Sequence, residues 1–289
     1  MGQTSSAAVP APVMSVKQLP PLSTTASELL RVAGDPDVDV GVVAAIIERD
    51  PGLTARILGL ANSAYFGQAQ PIFQVREAII RVLGLNLVKG LSMSIALAGS
   101  FDTSACPGFD MGKYWYRTLG TAILGRMVAQ QVQPGFALDA DGVYLSGLLL
   151  RIGLLLLAHA LPQQMAAALA AWSESPDEEL MELERRFLDT DHVDSGAWLA
   201  RRWHLPEMVC SIIEDHGIGD HDGRFGAELC IVQGADLWLE EQLLGQSPSL
   251  TAIDCLRRVP GLDEESLAMV EERFQRRLDE LQTLANALV

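Results

Sequence analysis

The sequence is poor in cysteine and lacks the short catalytic motifs of common hydrolases and nucleotide-binding enzymes. No Gly-x-Ser-x-Gly nucleophile elbow and no Gly-x-x-x-x-Gly-Lys phosphate loop occurs in its 289 residues. No two of the cysteines stand in a Cys-x-x-Cys spacing, which favours a reducing cytoplasm and predicts unpaired, buried thiols. The four cysteines are Cys106, Cys210, Cys230 and Cys255.

The chain also lacks a basic segment. Its formal net charge is −16 and its pI is about 4.6, so its average field repels nucleic acid. The arginine pairs at 185–186, 201–202 and 257–258 are isolated within acidic surroundings, which predicts solvated helix faces. We therefore expect no nucleic-acid partner.

A targeting or membrane segment is not indicated. Residues 1–15 have neither a basic start nor a long apolar run, so they predict a flexible tail or linker rather than a signal peptide. The apolar stretch 143–161 approaches the length of a membrane span but contains Ser146, Arg151 and His159. Because a charge at mid-bilayer is costly, this stretch predicts a core helix. A cytoplasmic protein with no membrane partner is the expectation.

Helical periodicity is present in nearly every segment, and no run alternates with the period of a strand, which predicts an all-α fold. Asp39 and the pair Asp50-Pro51 are helix-start signals, and Thr25 to Glu28 reads as a capping box. A Pro- and Gly-containing stretch at 102–112 predicts a boundary between two lobes. Further helices are predicted over 75–83, 85–98, 143–161, 193–203, 206–215 and 224–244, from Ser175-Pro176 onward and from Asp263. A long helix after 112 carries Tyr116, Leu119, Ile123 and Met127 on one side.

An apolar stripe marks the final predicted helix. It favours packing within the chain, and a dimer or partner seam is the alternative. The stripe consists of Leu267, Val270, Phe274, Leu278, Leu281, Ala285 and Leu288.

Several separated motifs together resemble one protein family. They are Asp-Pro-Gly-Leu-Thr-Ala-Arg-Ile-Leu at 50–58, Ala-Asn-Ser-Ala-Tyr-Phe-Gly at 61–67, Gly-Leu-Leu at 147–149 with Ile-Gly at 152–153, His192 with Gly-Ala at 196–197, and Trp203 with Leu-Pro at 205–206. The chain resembles the HDOD domains of bacterial signalling proteins, over about 16–239.

The resemblance implies an all-helical, two-lobed domain related to the HD phosphohydrolases. It divides into an N-terminal lobe at 16–105 and an HD-like lobe at 106–245, followed by a helical extension at 246–289. The family generally lacks demonstrated catalysis and often accompanies receiver or second-messenger domains, so the resemblance implies a signal-transduction module.

The metal motif of the HD frame is degenerate here. An HD site uses a His from one helix, a His-Asp pair on the next and a later Asp, but this chain has Arg117 at the first place and Leu150 and Arg151 at the pair. Leucine has no lone pair to donate and arginine repels a cation. We therefore expect no metal, no cofactor and no catalytic residue, and a salt-bridge or anion pocket instead. A carboxylate, with Asp110 and Glu184 as candidates, or a bound phosphate or sulfate should lie between the two arginines.

Three other features allow a structural and a functional interpretation. The acidic run at 215–222, which holds His216 and His221, favours a solvated loop over a metal cluster. His192 favours a helix start over a ligand role. The polar motif Asn62, Ser63, Tyr65 and Phe66 favours hydrogen bonds between helices, with a docking surface as the alternative.

Three functions remain open at this point. The leading hypothesis is a non-catalytic regulatory module that binds a protein partner, for instance as the output part of a response regulator. The alternatives are a metal-dependent phosphohydrolase of nucleotides or cyclic dinucleotides, and an oligomerising scaffold that forms a homodimer through the C-terminal helix.

Overall fold

The computed structural model describes residues 21–33, 35, 37–136, 138–175, 178–217, 223–245 and 250–289. Within these ranges every regular element is helical and none is a strand, so the all-α prediction is confirmed. The predicted tail at 1–15 lies outside the described residues, as do 218–222 of the acidic run.

The N-terminal helices are short and pack around one another. α1 is Thr24–Ala33, α2 is Val40–Glu48 and α3 is Pro51–Ala61, followed by a 3-10 turn at Ala64–Phe66. α4 is Val75–Ala78 and continues as a π-helical turn at Ile79–Leu83, and α5 is Leu85–Ala98. α1 and α3 both pack against α5.

Side-chain caps account for several of the helix starts. Asp39 accepts the backbone N–H of Gly41, and Asp50 accepts that of Leu53, as expected of N-cap carboxylates. The capping box proposed for Thr25 to Glu28 is wrong, because the helix begins at Thr24 and Ser23 Oγ accepts the N–H of Ala26.

The remaining helices form the larger part of the molecule. They are α6 (Met111–Ala129), α7 (Ala140–Leu149), α8 (Ile152–Ala160), α9 (Pro162–Glu174), α10 (Leu180–Leu188), α11 (His192–Arg202), α12 (Glu207–Asp215), α13 (Gly226–Leu243), α14 (Leu250–Arg257), α15 (Glu264–Gln275) and α16 (Leu278–Asn286). α6 lies at the centre, where it packs against α7, α13, α15 and α16.

Three boundaries differ from the sequence prediction. The stretch 143–161 is broken at Leu150–Arg151 into α7 and α8, and the final helix is broken near Arg276–Arg277. The helix predicted from Ser175-Pro176 begins at Leu180 instead, with 176–177 outside the described residues. Helices α9 and α14 were not predicted.

One hydrophobic core runs through the described residues on both sides of 102–112. α5 of the first half packs directly against α7 of the second. The division into lobes therefore stays a prediction. Cys106, Cys210 and Cys255 are buried and Cys230 is half-buried, and none of the four forms a disulfide bond within the described residues.

The apolar stretch at Ala140–Ala160 belongs to this core. In the described residues it is the one helical stretch long and apolar enough to cross a membrane, with a mean hydropathy of 1.8. However, 78% of its apolar window is buried inside the protein, as expected of a core segment. The C-terminal stripe is buried as well: Phe274 and Leu281 are 2% and 1% exposed within the single chain.

Candidate functional site

A buried ion-pair cluster joins three helical segments at the position of the HD metal site. Arg117 of α6 makes a two-point ion pair with Asp236 of α13, with Nε–Oδ1 at 2.8 Å and Nη2–Oδ2 at 2.7 Å. Arg151 binds the same carboxylate, with Nε–Oδ1 at 3.3 Å and Nη2–Oδ2 at 2.5 Å. Both guanidinium groups therefore converge on one carboxylate. We call Arg117, Arg151 and Asp236, with Glu240, the arginine cluster.

The local structure presents these side chains inward. Arg117 lies mid-way along α6 and is 8% exposed, and Asp236 is fully buried on α13. Arg151 stands in the break between α7 and α8, with φ −98° and ψ 17°. The break turns the chain so that Arg151 reaches α13 from a second direction.

A histidine and a glutamate extend the cluster on its far side. Arg151 Nη1 lies 2.6 Å from His192 Nε2, and His192 Nδ1 lies 2.6 Å from Glu184 Oε2. Because a guanidinium only donates, Nε2 must accept and the ring proton must lie on Nδ1, which donates to Glu184. Glu184 also accepts the backbone N–H of His192 at 2.8 Å. The chain of bonds thus fixes one tautomer of His192.

His216 lies beside the arginine cluster but forms no short hydrogen bond with it. Its Nε2 lies 3.8 Å from Asp236 Oδ2, and its Nδ1 is buried without a hydrogen-bond partner in the described residues. Burial, followed by the positive charge of Arg151, holds the pKa of His216 well below its usual value. The ring is therefore neutral in the folded protein.

The cluster is electrically balanced from within. Burial alone would raise the pKa values of Asp236 and Glu240, but Arg117 and Arg151 hold the pKa of Asp236 well below its usual range and lower that of Glu240. Glu240 Oε1 lies 2.6 Å from Arg117 Nη1. Two guanidinium groups thus face two carboxylates, so the cluster needs no external anion to offset its charge.

These residues do not fit a divalent metal ion. Both oxygens of Asp236 accept hydrogen bonds from guanidinium groups, and His192 Nε2 accepts one from Arg151. The lone pairs that would coordinate a metal are therefore already engaged. Among the residues that the structure describes, no group of three or more His, Cys, Asp or Glu side chains could hold a metal ion.

The structure changes part of the predicted site. Arg117 and Arg151 are brought together and a carboxylate does lie between them, but it is Asp236 rather than either candidate. Asp110 instead caps α6 by accepting the N–H groups of Gly112 and Lys113. The other candidate, Glu184, is wrong too, because it binds His192. Leu150 is buried beside Arg151 and carries no polar group.

Asp236 was the residue that sequence reasoning missed. The HD pattern does require a later Asp, but α13 and its surroundings hold several carboxylates and no short motif marks one of them. To identify Asp236, one would have to know the rotation of α13 about its axis, which turns residue 236 toward α6.

The polar motif at 62–66 performs a structural role. Asn62 Nδ2 donates to Leu58 O and Ile72 O, each at 2.8 Å, and its Oδ1 accepts the N–H of Ile72 at 2.7 Å. Ser63 Oγ donates to Leu60 O at 2.7 Å. The bonds of Asn62 tie the end of α3 to the segment before α4, and the docking role of the motif stays a prediction.

The two glycines of the 147–153 motif are needed for close helix packing. A Cβ on Gly153 would lie 1.9 Å from His192 O, and one on Gly147 would lie 2.7 Å from Ala122 Cα. α8 therefore approaches α11, and α7 approaches α6, at backbone contact. These contacts hold the helices around the HD position together, although Arg117, Leu150 and Arg151 stand where the metal ligands would be.

A cleft of about 450 Å³ opens beside the arginine cluster. Arg151, His192 and His216 form its floor, and its walls include Trp172 and several aliphatic side chains. Its rim carries four glutamates, Glu178, Glu179, Glu240 and Glu241, against one further arginine, Arg258. Such a rim disfavours the approach of a phosphate-bearing molecule.

Known proteins with similar sequences and structures share the helical arrangement described above. An uncharacterized protein of Treponema pallidum (strain Nichols) is 30% identical over 201 residues, which is 70% of this chain and 38% of that protein. A candidate signal transduction protein from Marinobacter aquaeolei VT8 has a solved structure with a TM-score of 0.81 and 26% identity, over 93% of this chain and 60% of that one. The chain thus spans about two fifths to three fifths of these relatives.

A response regulator, MmoQ from Methylococcus capsulatus str. Bath, is 28% identical, with a TM-score of 0.50 over 88% of this chain and 97% of that one. The sequence profile of the HDOD domain matches residues 19–218, and the helical frame built around Gly147 and Gly153 is the one described above. This chain belongs to the HDOD domain family.

Proposed function

We propose that this chain is a non-catalytic signalling module that acts by binding a protein partner, as the output part of a response regulator. The observation that carries the proposal is the shared ion pair of Arg117 and Arg151 with Asp236. A guanidinium cannot lose its charge in a protein, so it occupies the metal position permanently. Activation of water by a metal needs an open, ligand-filled site, which this cluster does not provide.

The relatives support the signalling half of the proposal. The names of the Marinobacter and Methylococcus proteins refer to signal transduction and to a response regulator. The acidic rim of the cleft adds a second reason against a nucleotide or cyclic dinucleotide substrate, since it repels phosphate groups.

Metal content and turnover test the absence of catalysis. The chain is purified without chelator, its metals are measured by plasma mass spectrometry, and hydrolysis of bis-p-nitrophenyl phosphate and cyclic dinucleotides is assayed with added Mn²⁺ or Fe²⁺. We expect no stoichiometric metal and no turnover. About one equivalent of metal that disappears in a His192→Gln, His216→Gln variant, or any turnover dependent on Asp236, would favour the phosphohydrolase instead.

A restored His-Asp pair provides a sharper version of the same test. In the double variant Leu150→His, Arg151→Asp, Arg117 remains and would pair with the new aspartate as well as with Asp236. We therefore expect the double variant to be as inactive as the wild-type chain. Phosphodiesterase activity in the double variant alone would show that Arg117 does not block the site.

Partner binding is tested through the exposed apolar residues of the N-terminal half. Phe73 and Ile80 are 77% and 63% exposed around α4, and large exposed apolar side chains are a common feature of protein-binding surfaces. A tagged chain should capture a partner from cells of the source organism, and the variant Phe73→Ser, Ile80→Ser should lose it. The control is Met269→Ser, which is also exposed but lies on α15. Equal capture by both variants would reject this surface.

A further inference from the structure

A second cavity lies where α3 and the 3-10 turn meet α6, α7 and α15. It shares no lining residue with the cleft beside the arginine cluster. Its volume is about 190 Å³. Its walls are mostly aliphatic and include Leu60, Leu91, Leu119 and Leu284. An apolar cavity of about 150 Å³ is enough to bind benzene, so this one can take a ring-sized apolar body.

Two tyrosines line the cavity, and one of them carries a buried hydroxyl without a partner. Tyr65, from the family motif at 61–67, is 7% exposed, and Tyr144 of α7 is 2% exposed. The hydroxyl of Tyr144 is buried without a hydrogen-bond partner in the described part of the chain. A buried hydroxyl left unpaired costs about 1–3 kcal/mol, so a ligand that accepts from it would relieve that cost.

Both tyrosines remain hydrogen-bond donors at neutral pH. Burial raises the pKa of Tyr144, against the opposing effect of nearby Arg126, and burial likewise raises the pKa of Tyr65, against that of Arg277. Arg126 and Tyr65 line the same cavity as Tyr144.

The cavity is bordered by positive charge, in contrast to the acidic chain as a whole. Arg277 lies over the Tyr65 ring at 4.0 Å and pairs with Glu280 at 3.2 Å. Arg126 pairs with Asp141 at 3.0 Å. The third arginine, Arg273, also lines the cavity, and the structure gives it no ion-pair or hydrogen-bond partner among the described residues. Three guanidinium groups thus face two carboxylates, which leaves one cation uncompensated.

We propose that this cavity binds a small carboxylate with an apolar body of about the size of benzoate. The aliphatic walls would hold the body, the Tyr144 hydroxyl would donate to the ligand, and Arg273 would supply the unpaired positive charge at the rim. A bound ligand would contact the first half of the chain, α7 and the C-terminal helices at once. The inference goes beyond the proposed function and does not depend on it.

Calorimetric titration of the full chain with benzoate tests the proposal. Benzylammonium and benzyl alcohol serve as probes of the same size with opposite and no charge. We expect saturable one-site binding of benzoate, weaker binding of benzyl alcohol and none of benzylammonium. Hexanoate is titrated in parallel, and tighter binding of hexanoate than of benzoate would support the site while assigning it to aliphatic carboxylates.

Three variants locate the ligand. Tyr144→Phe should weaken benzoate binding about fivefold, through loss of one hydrogen bond, and Arg273→Gln about tenfold, through loss of a charged partner. The matched control is Arg276→Gln, since Arg276 is exposed, pairs with Glu272 and does not line the cavity. It should bind benzoate as the wild-type chain does.

Tyr144→Phe removes only an unpartnered hydroxyl, so it should unfold at the wild-type temperature or above when no ligand is present. Three results would overturn the proposal: no saturable binding of benzoate or hexanoate, equal binding of benzylammonium, or equal affinities in the Tyr144→Phe, Arg273→Gln and Arg276→Gln variants.

Discussion

Gly153 lies so close to the backbone of His192 that a Cβ atom on it would come within 1.9 Å of the carbonyl oxygen. The same Cβ would lie 2.8 Å from the backbone nitrogen of Gly196. This contact joins α8 to α11 and holds His192 beside Arg151. The glycine is retained for packing, although the metal ligands beside it in the sequence are gone.

Gly153→Ala should therefore be strongly destabilising. Backbone atoms cannot move aside as a flexible side chain can, so α8 and α11 must separate, and we expect a loss of at least about 3 kcal/mol in the free energy of unfolding. Urea denaturation followed by circular dichroism measures it. Gly59→Ala is the control: nothing lies within 4 Å of its added Cβ on α3, and it should gain about 0.5–1 kcal/mol. Equal effects of the two changes would contradict the close contact.

Asp236→Asn should destabilise the fold because it removes the carboxylate that Arg117 and Arg151 share while both arginines stay buried. We expect a loss of about 3–5 kcal/mol, as for other buried ion pairs from which one partner is removed. Glu272→Gln removes an exposed ion pair with Arg276 and should cost at most about 0.5 kcal/mol. A loss below about 1 kcal/mol for Asp236→Asn would mean that the cluster is open to water.

His216 should make stability depend on pH below neutrality. The folded protein keeps the ring neutral because burial and Arg151 hold its pKa well below 6.5, whereas the unfolded chain binds a proton as the pH falls through about 6.5. The unfolded state therefore binds more protons, and stability falls with decreasing pH.

Between pH 6.5 and 5.5 this one group should remove about 1 kcal/mol from the free energy of unfolding. The measurement is urea denaturation at pH 7.5, 6.5 and 5.5. His216→Gln should be less dependent on pH by that amount over the same interval, which lies above the range in which ordinary carboxyl groups titrate. The same slope in both proteins would show that His216 binds protons equally in the folded and unfolded states.

Phe274→Ala should lower the stability of the single chain rather than change its state of association. Phe274 is 2% exposed and packs edge-on against Trp238 with the ring centroids 5.2 Å apart. We expect a loss of about 3–5 kcal/mol. Met269→Ala, on the exposed side of α15, should change stability by less than about 0.5 kcal/mol.

Light scattering at several concentrations completes this test. The homodimer predicted through the C-terminal stripe stays a prediction, but the stripe itself is occupied by packing within the chain. A wild-type dimer that Phe274→Ala converts to a stable monomer would restore the alternative.

The sequence alone was sufficient for the features that depend on near neighbours along the chain. Asp39 and Asp50 were recognised as helix caps because a carboxylate reaches the N–H groups two or three residues ahead. The all-α class and the HDOD resemblance followed from periodicity and from short motifs. The departures at Arg117 and Arg151 were also visible in the sequence, since they replace recognisable positions.

Only the tertiary structure decided which carboxylates form ion pairs with Arg117 and Arg151. Asp236 lies 119 residues from Arg117 and 85 from Arg151, and it meets them because α13 packs on α6 in one rotational register. Asp110 and Glu184 were nearer in the chain, but each already satisfies backbone or side-chain donors next to it. A long-range ion pair depends on how helices pack, and helix packing depends on side-chain contacts from the whole core. Local sequence patterns therefore determined the all-α class and the helix starts at Asp39 and Asp50. The partner of the arginines, the tautomer of His192 and the cavity beside Tyr144 were set by packing between distant segments.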